Sequence, residues 1–374
     1  MNIGLDVAVA ARPGGIAAYA LALVAALGDV ARAHRLSLWC GRAAAPAVRA
    51  VAPANARVVE GGILGGYADL LGRLRSLNPL SIEQLTGDVD VFHGVNYLLP
   101  APRCRAPVVI TIHDLSALIH PEWHPRARVL AHRWSLRRTA AAAAHVITPT
   151  EVIRAEAIAA LRLDPARVTA IPLGVSERFR PRSAAEVKPV LDRHGLAYQG
   201  YALYGAALEP RKNLPRVLDA IALLRRRRAD VPPLVVAGPA GWRNEAIRAG
   251  LAGPGIRYVG YVGGDDLAAL MAGSLMFLYP SLYEGFGLPA LEALASGTPV
   301  LASTDPALAE VVGDDALRVE AGDAEAIAAG IARLLDDQRL RSDLARRGPL
   351  RAAAFTWSRT AARTLALYEA VRAR

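Results

Sequence analysis

The sequence predicts an α/β protein built of two doubly wound domains, each a parallel sheet with helices on both faces. Three observations carry that expectation. The chain has 374 residues, more than a single core usually carries. Short apolar runs of strand length alternate with longer helical ones, the order that builds a parallel sheet covered on both sides. The alternation stops once, in a stretch rich in proline and charge, and then begins again.

Taken in order, "NIGLDVAV" leads through "RPGG" (12–15) into the helical "IAAYALALVAAL". The strand-like runs "VDVFHGV", "PVVITIHDL", "HVITPT" and "RVTAIPL" follow, with helical stretches such as "RVLAHRWSLRRTAAAAA" and "EVIRAEAIAAL" among them. The stretch "PLGVSERFRPRSAAEVKP" (172–189) reads as the linker. The pattern then restarts with "YALYGAAL", the helix "LPRVLDAIALLRRRR", "PLVVAGP", "IRYVGYV", the helix "DDLAALMAG", "LMFLYPS", the helix "PALEALASG" and "TPVLAST". A last helix, "TWSRTAARTLALYEAVRAR", closes the chain. The expected domains are 1–180 and 181–355, with 356–374 packing back on the first.

Composition narrows the class. With 53% hydrophobic and 21% charged residues the chain is globular, not disordered. Its longest apolar stretch, "AAYALALVAAL" (17–27), is too short to span a bilayer, and what precedes it does not read as a signal peptide. Cys40 and Cys104 fit no metal or redox spacing, so a cytoplasmic location is expected. Residues 1–180 hold 20 arginines against 13 acidic residues, so most of the net charge of +10 lies in that half. A basic balance suits nucleic acid, anionic membrane or an anionic substrate. The aromatic-studded basic stripe of a nucleic-acid binder is missing, so nucleic acid is not expected. "RRRR" (225–228) reads as the solvated end of a helix. "RARVLAHRWSLRR" (126–138) mixes arginines with Val129, Leu130, Trp134 and Leu136. It reads either as a helix with a solvated basic face or as a peripheral contact with anionic lipid at the inner face of a membrane.

In doubly wound sheets ligands bind beyond the carboxyl ends of the strands. The loops there carry the chemistry. "YEGFGLPALEALASG" (283–297) places Glu284 just after a strand and Glu292 in what reads as the first turn of a helix, with Pro289 opening that helix and Gly297 ending it. Each glutamate alone also fits a bland role, Glu292 complementing the helix dipole and Glu284 standing in solvent. "EPRKN" (209–213) sets Arg211 beside Lys212. The chain uses 42 arginines and only two lysines, Lys188 and Lys212, so the mixed pair is unusual here. A planar fork beside a compact ammonium suits two phosphates, although solvated loop charges would look the same. His113 and Asp114 end a buried-looking strand, where a histidine can bond a substrate hydroxyl or simply line the rim. Gly14 and Gly15 open the first helix, as an anion site or as an ordinary tight turn; the G-x-G-x-x-G spacing is absent. Asp88 and Asp90 form a D-x-D, but at the start of a strand, where solvation is the better account. No cluster has metal-ligand spacing, and no metal is expected.

Together these positions resemble the retaining glycosyltransferases of family four, whose GT-B fold sets two Rossmann-like domains facing across a cleft. The resemblance rests on "PGG" (13–15), "HDL" (113–115), "TPTE" (148–151), "IPLGV" (171–175), "EPRKN" (209–213) and "YEGFGLPALEALASGTPV" (283–300). The last is the most specific, carrying the family's two glutamates with seven residues between them. The segment "HDLSALIHPEWHP" looks most like bacterial mannosyl- and rhamnosyltransferases of surface polysaccharide assembly.

The resemblance implies transfer of a hexosyl group, mannose or a related sugar, from a nucleotide diphosphate-sugar (GDP-mannose favoured) to a glycan or lipid-linked acceptor. It implies no cofactor. Arg211 and Lys212 would hold the pyrophosphate, Glu292 the ribose, and Glu284 would stand by the sugar ring. Backbone around Gly285, Phe286, Gly287 and Leu288 would read hydroxyls or phosphate, and the backbone at Val262 would meet the base. Gly14 and Gly15 would let the chain approach phosphate and acceptor, while His113 and Asp114 would contact the sugar. A sugar-nucleotide epimerase of the same fold, or a non-enzymatic nucleotide-sugar-binding module, would share the phosphate clamp.

Overall fold

The structure, a computed structural model, describes all residues except 13, 62–79, 100, 102, 242–244 and 374, and for residues 128, 131, 245, 246 and 249 the backbone alone. The first residue of the "PGG" turn therefore lies outside the described residues. The chain divides into two compact units. One comprises Met1–Pro121, Pro125–Gly174 and Thr356–Arg374, and the other Glu122–His124 with Val175–Phe355.

In the first unit β1 (Asn2–Asp6), β2 (Arg35–Cys40), β3 (Ala56–Glu60), β4 (Val91–Gly94), β5 (Val108–Thr111), β6 (His145–Thr148) and β7 (Val168–Ala170) form one sheet. Its order is β3-β2-β1-β4-β5-β6-β7, and every pairing is parallel. The strand direction of travel across the sheet reverses between β1 and β4. In the second unit β8 (Ala202–Gly205), β9 (Leu234–Ala237), β10 (Ile256–Gly260), β11 (Met276–Tyr279), β12 (Val300–Ser303) and β13 (Leu317–Val319) repeat the plan, in the order β10-β9-β8-β11-β12-β13. There the reversal falls between β8 and β11. Strands β4, β8, β9, β11 and β12 are buried along their whole length, which is why they read as unbroken apolar runs and not as alternating ones.

Several boundaries differ from the sequence reading. The first unit ends at Gly174, not at 180, because two passes of the chain lie side by side there. A Cβ on Gly174 would overlap the backbone of Trp357, and one residue on the Val175 N–H donates to the Phe355 carbonyl at 3.0 Å. The stretch 172–189 is not all linker either. Ser183 and Glu186 close a reciprocal capping box, and a helix runs Ala184–Arg193 with Val187 and Leu191 buried. Prolines and charges at 180–189 masked a real helix start. The run at 225–228 ends the helix Leu214–Arg227 as expected, but it is not simply solvated. Arg225 bonds the carbonyls of Pro232, Pro254 and Gly255, Arg227 pairs with Glu325, and Arg228 with Asp230 and Asp336. The last helix, Trp357–Arg372, belongs to the first unit and packs on the helix Gly15–Val30.

Candidate active site

Two loops of the second unit meet where the sheet reverses, one after β8 and one after β11. Their meeting follows from a few polar residues. Asn213 adopts a left-handed conformation (φ 62°), which asparagine tolerates better than most residues, and this turns the chain into the helix Leu214–Arg227. Its side-chain amide donates to the carbonyls of Pro280 (2.9 Å) and Ala321 (2.7 Å), so one buried group ties three loops. The Leu282 N–H donates to the Arg211 carbonyl, and Tyr204 donates to the Lys212 carbonyl. In the facing loop Gly287 has φ 88°, and a Cβ there would overlap Leu308, so glycine is needed on both counts.

This stitching brings Arg211, Lys212 and Glu284 together. Lys212 Nζ donates to Glu284 Oε1 at 2.6 Å and to the Tyr279 hydroxyl at 2.7 Å. Arg211 Nη1 stands 3.4 Å from Glu284 Oε2 and from the Tyr283 carbonyl, while its Nε donates to Glu209 Oε2 at 3.2 Å. Lys212, Glu284 and Glu209 are buried. Burial, with Arg211 alongside, lowers the Lys212 ammonium below its ordinary range, against the pull of Glu284. Burial alone would raise Glu284, but Lys212 and Arg211 more than offset it and hold its carboxyl below the usual range. The cluster is thus two cations and two carboxylates, largely buried and balanced in formal charge. Chemically it sets two cationic donors in fixed positions, able to turn toward a di-anion and stabilise charge growing on it.

The helix Leu288–Ala295 follows directly. Pro289 is its second residue, and Glu292 falls in its second turn, not its first. The dipole-complement reading of Glu292 therefore loses its basis, since that effect fades beyond the first turn. Glu292 is half-buried, and burial pushes its carboxyl up to about 8, with Arg178 opposing. Its carboxylate has no hydrogen-bond or ion-pair partner among the described residues. Phe286 is buried with its ring edge-on to Phe355, Gly285 is buried, and Leu288 opens the helix half-buried. Val262 lies half-buried in the loop between β10 and the helix Gly264–Gly273.

In the first unit, Gly14 and Gly15 stand at the start of the helix Gly15–Val30, and a Cβ on either would meet no atom within 4 Å. Packing therefore does not account for glycine at these two positions. His113 donates through Nε2 to the Val95 carbonyl at 2.8 Å, and its ring meets Tyr19 edge-on at 4.8 Å. Burial lowers its pKa, so a neutral ring with a free Nδ1 lone pair is favoured at neutral pH. Asp114 Oδ1 accepts from the Ser116 N–H and hydroxyl, a local turn that starts the helix Ser116–Ile119. Behind them Tyr19, Thr111, His93 and Tyr368 form one buried hydrogen-bonded chain, with contacts of 3.1, 2.8 and 2.5 Å. Asp88 and Asp90 are spent on structure, on Arg105, on the Asn2 N–H and on Arg372.

Sequence reasoning missed Tyr279, Glu209 and Asn213 as members of the cluster. Tyr279 ends an apolar run and was legible only as a strand residue. Glu209 and Asn213 were inside the quoted "EPRKN" without a role assigned to them.

Two family models cover most of the chain: glycosyltransferase family 4 over residues 13–179 and glycosyl transferases group 1 over residues 197–351. The O-antigen chain mannosyltransferase B of Escherichia coli is 38% identical over 283 residues, covering 75% of this chain and 74% of that protein. This chain is a family 4, group 1 glycosyltransferase. The MMP alpha-(1->4)-mannosyltransferase of Mycolicibacterium hassiacum is 32% identical over 77% of this transferase and 72% of its own length. Among solved structures, Anabaena HepE in complex with UDP-glucose superposes with a TM-score of 0.76 at 18% identity, over 98% of this chain and all of that one. WaaG, a glycosyltransferase involved in lipopolysaccharide biosynthesis, does so with a TM-score of 0.70 at 17% identity, over 98% and 99%. The transferase therefore has the GT-B fold, two parallel-sheet α/β domains.

Proposed function

We propose that the transferase moves mannose from GDP-mannose to a glycan or lipid-linked glycan acceptor of a surface polysaccharide, with retention and without a metal. The observation that carries this reading is the Arg211–Lys212 pair held at the reversal of the second sheet, where a pyrophosphate would find two cations already in place. These cations take the role a divalent ion has in other transferases. As the bond from anomeric carbon to phosphate oxygen breaks, negative charge grows on the leaving pyrophosphate beside them. Glu292, unpartnered, accepts from the ribose hydroxyls. Glu284 stands by the sugar, and His113 offers Nδ1 to a sugar hydroxyl. Gly14, Gly15, Asp114, Val262, Gly285, Phe286, Gly287 and Leu288 keep the contacts that the family resemblance gives them. Retention follows if the acceptor attacks from the face the phosphate leaves, that phosphate taking the acceptor's proton. Mannose is favoured because the two relatives described above are named as mannosyltransferases.

The test is transfer from GDP-mannose to an oligosaccharide acceptor, with and without excess EDTA, and the product anomer read by NMR. An α-linked product formed at an unchanged rate in EDTA is expected. A β-linked product refutes retention, and activity lost in EDTA and restored by Mn²⁺ refutes the metal-free step.

The helix Arg126–Ala142 supports a peripheral membrane contact for this enzyme. Leu130 is 69% exposed and Trp134 53% exposed, one turn apart, with Arg126, Arg133, Arg137 and Arg138 exposed around them. The helix carries no acidic residue. Such a face suits an anionic lipid surface that presents a lipid-linked acceptor. Flotation with anionic vesicles should recover the native protein and fail for Trp134→Ser/Leu130→Ser; equal recovery of both refutes the contact.

A further inference from the structure

The stretch before the helix Ala184–Arg193 reads in sequence as linker, yet it delivers a cation to the second unit's candidate site. Arg178 is exposed, and its Nε donates to Ser176 Oγ at 3.2 Å. Its two terminal nitrogens have no hydrogen-bond or ion-pair partner among the described residues, although Glu177 and Asp265 are close in sequence or space. Neighbouring arginines behave otherwise: Arg180 pairs with Glu186 and Arg193 with Asp266. The Arg178 guanidinium lies over the start of the helix Gly264–Gly273, its Nη1 3.1 Å from where a Cβ on Gly264 would stand. It is also close enough to Glu292 to oppose the upward shift of that carboxyl without bonding to it. An open cationic fork and an open carboxylate thus sit at one end of the site, beside Val262.

The sheet sets the distance to the other end. The β10 loop that holds Val262 is two strands from β8, whose loop carries Arg211 and Lys212. Two strand spacings are about 10 Å, the reach from a pyrophosphate through a ribose to a base. A second cation at that remove is badly placed for the phosphates and well placed for a base.

We propose that Arg178 reads the nucleobase of the donor, its two terminal nitrogens donating to the adjacent acceptors of guanine. The inference rests on the donor reading given above and adds a specificity residue to it. Guanine presents two adjacent acceptors, N7 and O6, to a guanidinium fork; adenine sets an N–H₂ donor beside N7, and uracil an N–H donor beside each carbonyl. Of these three bases, guanine alone lets both terminal nitrogens of Arg178 donate at once.

The experiment measures binding of GDP, UDP and 7-deaza-GDP by calorimetry to the native enzyme and to Arg178→Gln and Arg178→Lys. A thermal midpoint for each variant confirms its fold. The native enzyme should prefer GDP to UDP by at least about tenfold and lose about tenfold for 7-deaza-GDP, where the N7 acceptor is replaced by C–H. Arg178→Gln should abolish both preferences and leave UDP within about threefold of native, and Arg178→Lys should restore only part of them. A native enzyme that binds GDP and UDP alike overturns the base assignment, here and in the donor reading, while leaving a nucleoside-diphosphate donor intact. Equal losses for GDP and UDP in Arg178→Gln also overturn it, since a phosphate contact or a structural role would act on both. A native enzyme that binds no nucleoside diphosphate refutes the donor reading itself.

Discussion

The two units share one sheet plan and one place where strand order reverses, but they fill that place with opposite chemistry. In the second unit it holds Arg211, Lys212, Glu284 and Glu209, charged groups paired with one another and largely buried. In the first unit His93 and Thr111, with Tyr19 and Tyr368 behind, are joined by short hydrogen bonds, and His113 stands beside Tyr19, its ring neutral at neutral pH. The sheet supplies a location, and the loops decide what it does. A fixed cationic wall suits a partner that brings its own negative charge. The neutral groups of the first unit are spent on one another except at half-buried His113, whose ring suits a hydroxyl, sorted by direction and not by charge.

The sharpest way to break this contrast is to remove the lysine. Lys212→Met should lower transfer by about 10³-fold, because a preorganised donor is lost and Glu284 keeps only Arg211. It should also cost about 3–5 kcal/mol of stability, the usual result of breaking a buried ion pair from one side. Single-turnover rates and denaturant unfolding check the two effects; a variant with native rates would show that the charged wall is structural only.

Glu284→Gln should lower turnover less, by about 10²-fold. It should strengthen binding of a free nucleoside diphosphate, since the carboxylate that now occupies both cations loses its charge. Steady-state kinetics beside calorimetry would show this, and weaker diphosphate binding would mean that Glu284 holds the clamp in shape.

The neutral groups are tested by acid. Burial lowers the His93 pKa to about 3 from an ordinary 6.5. The unfolded chain therefore takes up a proton below pH 6.5 that the folded protein refuses, so stability contributed by neutral His93 is present above 6.5 and lost as pH falls toward 3. His93→Gln should cost about 1–3 kcal/mol at pH 7 through the orphaned Tyr368 and Thr111 hydroxyls, and that gap should shrink by pH 5. A gap independent of pH would show that His93 does not titrate on unfolding.

The smallest effect runs the other way. Burial raises the Glu292 carboxyl to about 8 from 4.5, so the folded protein keeps a proton that the unfolded chain has released between those values. Native stability should fall as pH rises across that window, and Glu292→Gln should remove the slope. Because Glu292 is only half-buried, the difference between the two proteins should stay below about 1 kcal/mol. Melting temperatures at pH 5 and 8 are sufficient to see its sign.

Much of this was legible before any coordinates. Strands buried on both faces, such as β8, β9 and β11, stand out as short unbroken apolar runs, and the loops after them hold the unusual residues. The strands that went unread are β2, β3 and β13. "ARVVE" and "LRV" are edge strands only partly covered and carry charged residues, and "RLSLWC" begins with an arginine and is interrupted by a serine. At the candidate site, Arg211, Lys212, Glu284 and Glu292 were visible because charge is unusual after a buried strand. Tyr279 was not, because a tyrosine at a strand end looks like any core aromatic until Lys212 is seen to bond it. Arg178 was hidden among seven charged or proline residues, where composition says linker and only the path of the chain says otherwise.

The crossing at Gly174 and Thr356 also fixes an order of events during synthesis. The second unit is nearly one continuous stretch, Val175–Phe355, and can close as soon as it leaves the ribosome, whereas the first unit waits for its final helix. The Nδ1 partner of His93 in the finished protein, the Tyr368 hydroxyl, is among the residues made last. The half of the protein made first is therefore the half finished last, since the helix Gly15–Val30 meets its partner only once the helix Trp357–Arg372 has been made.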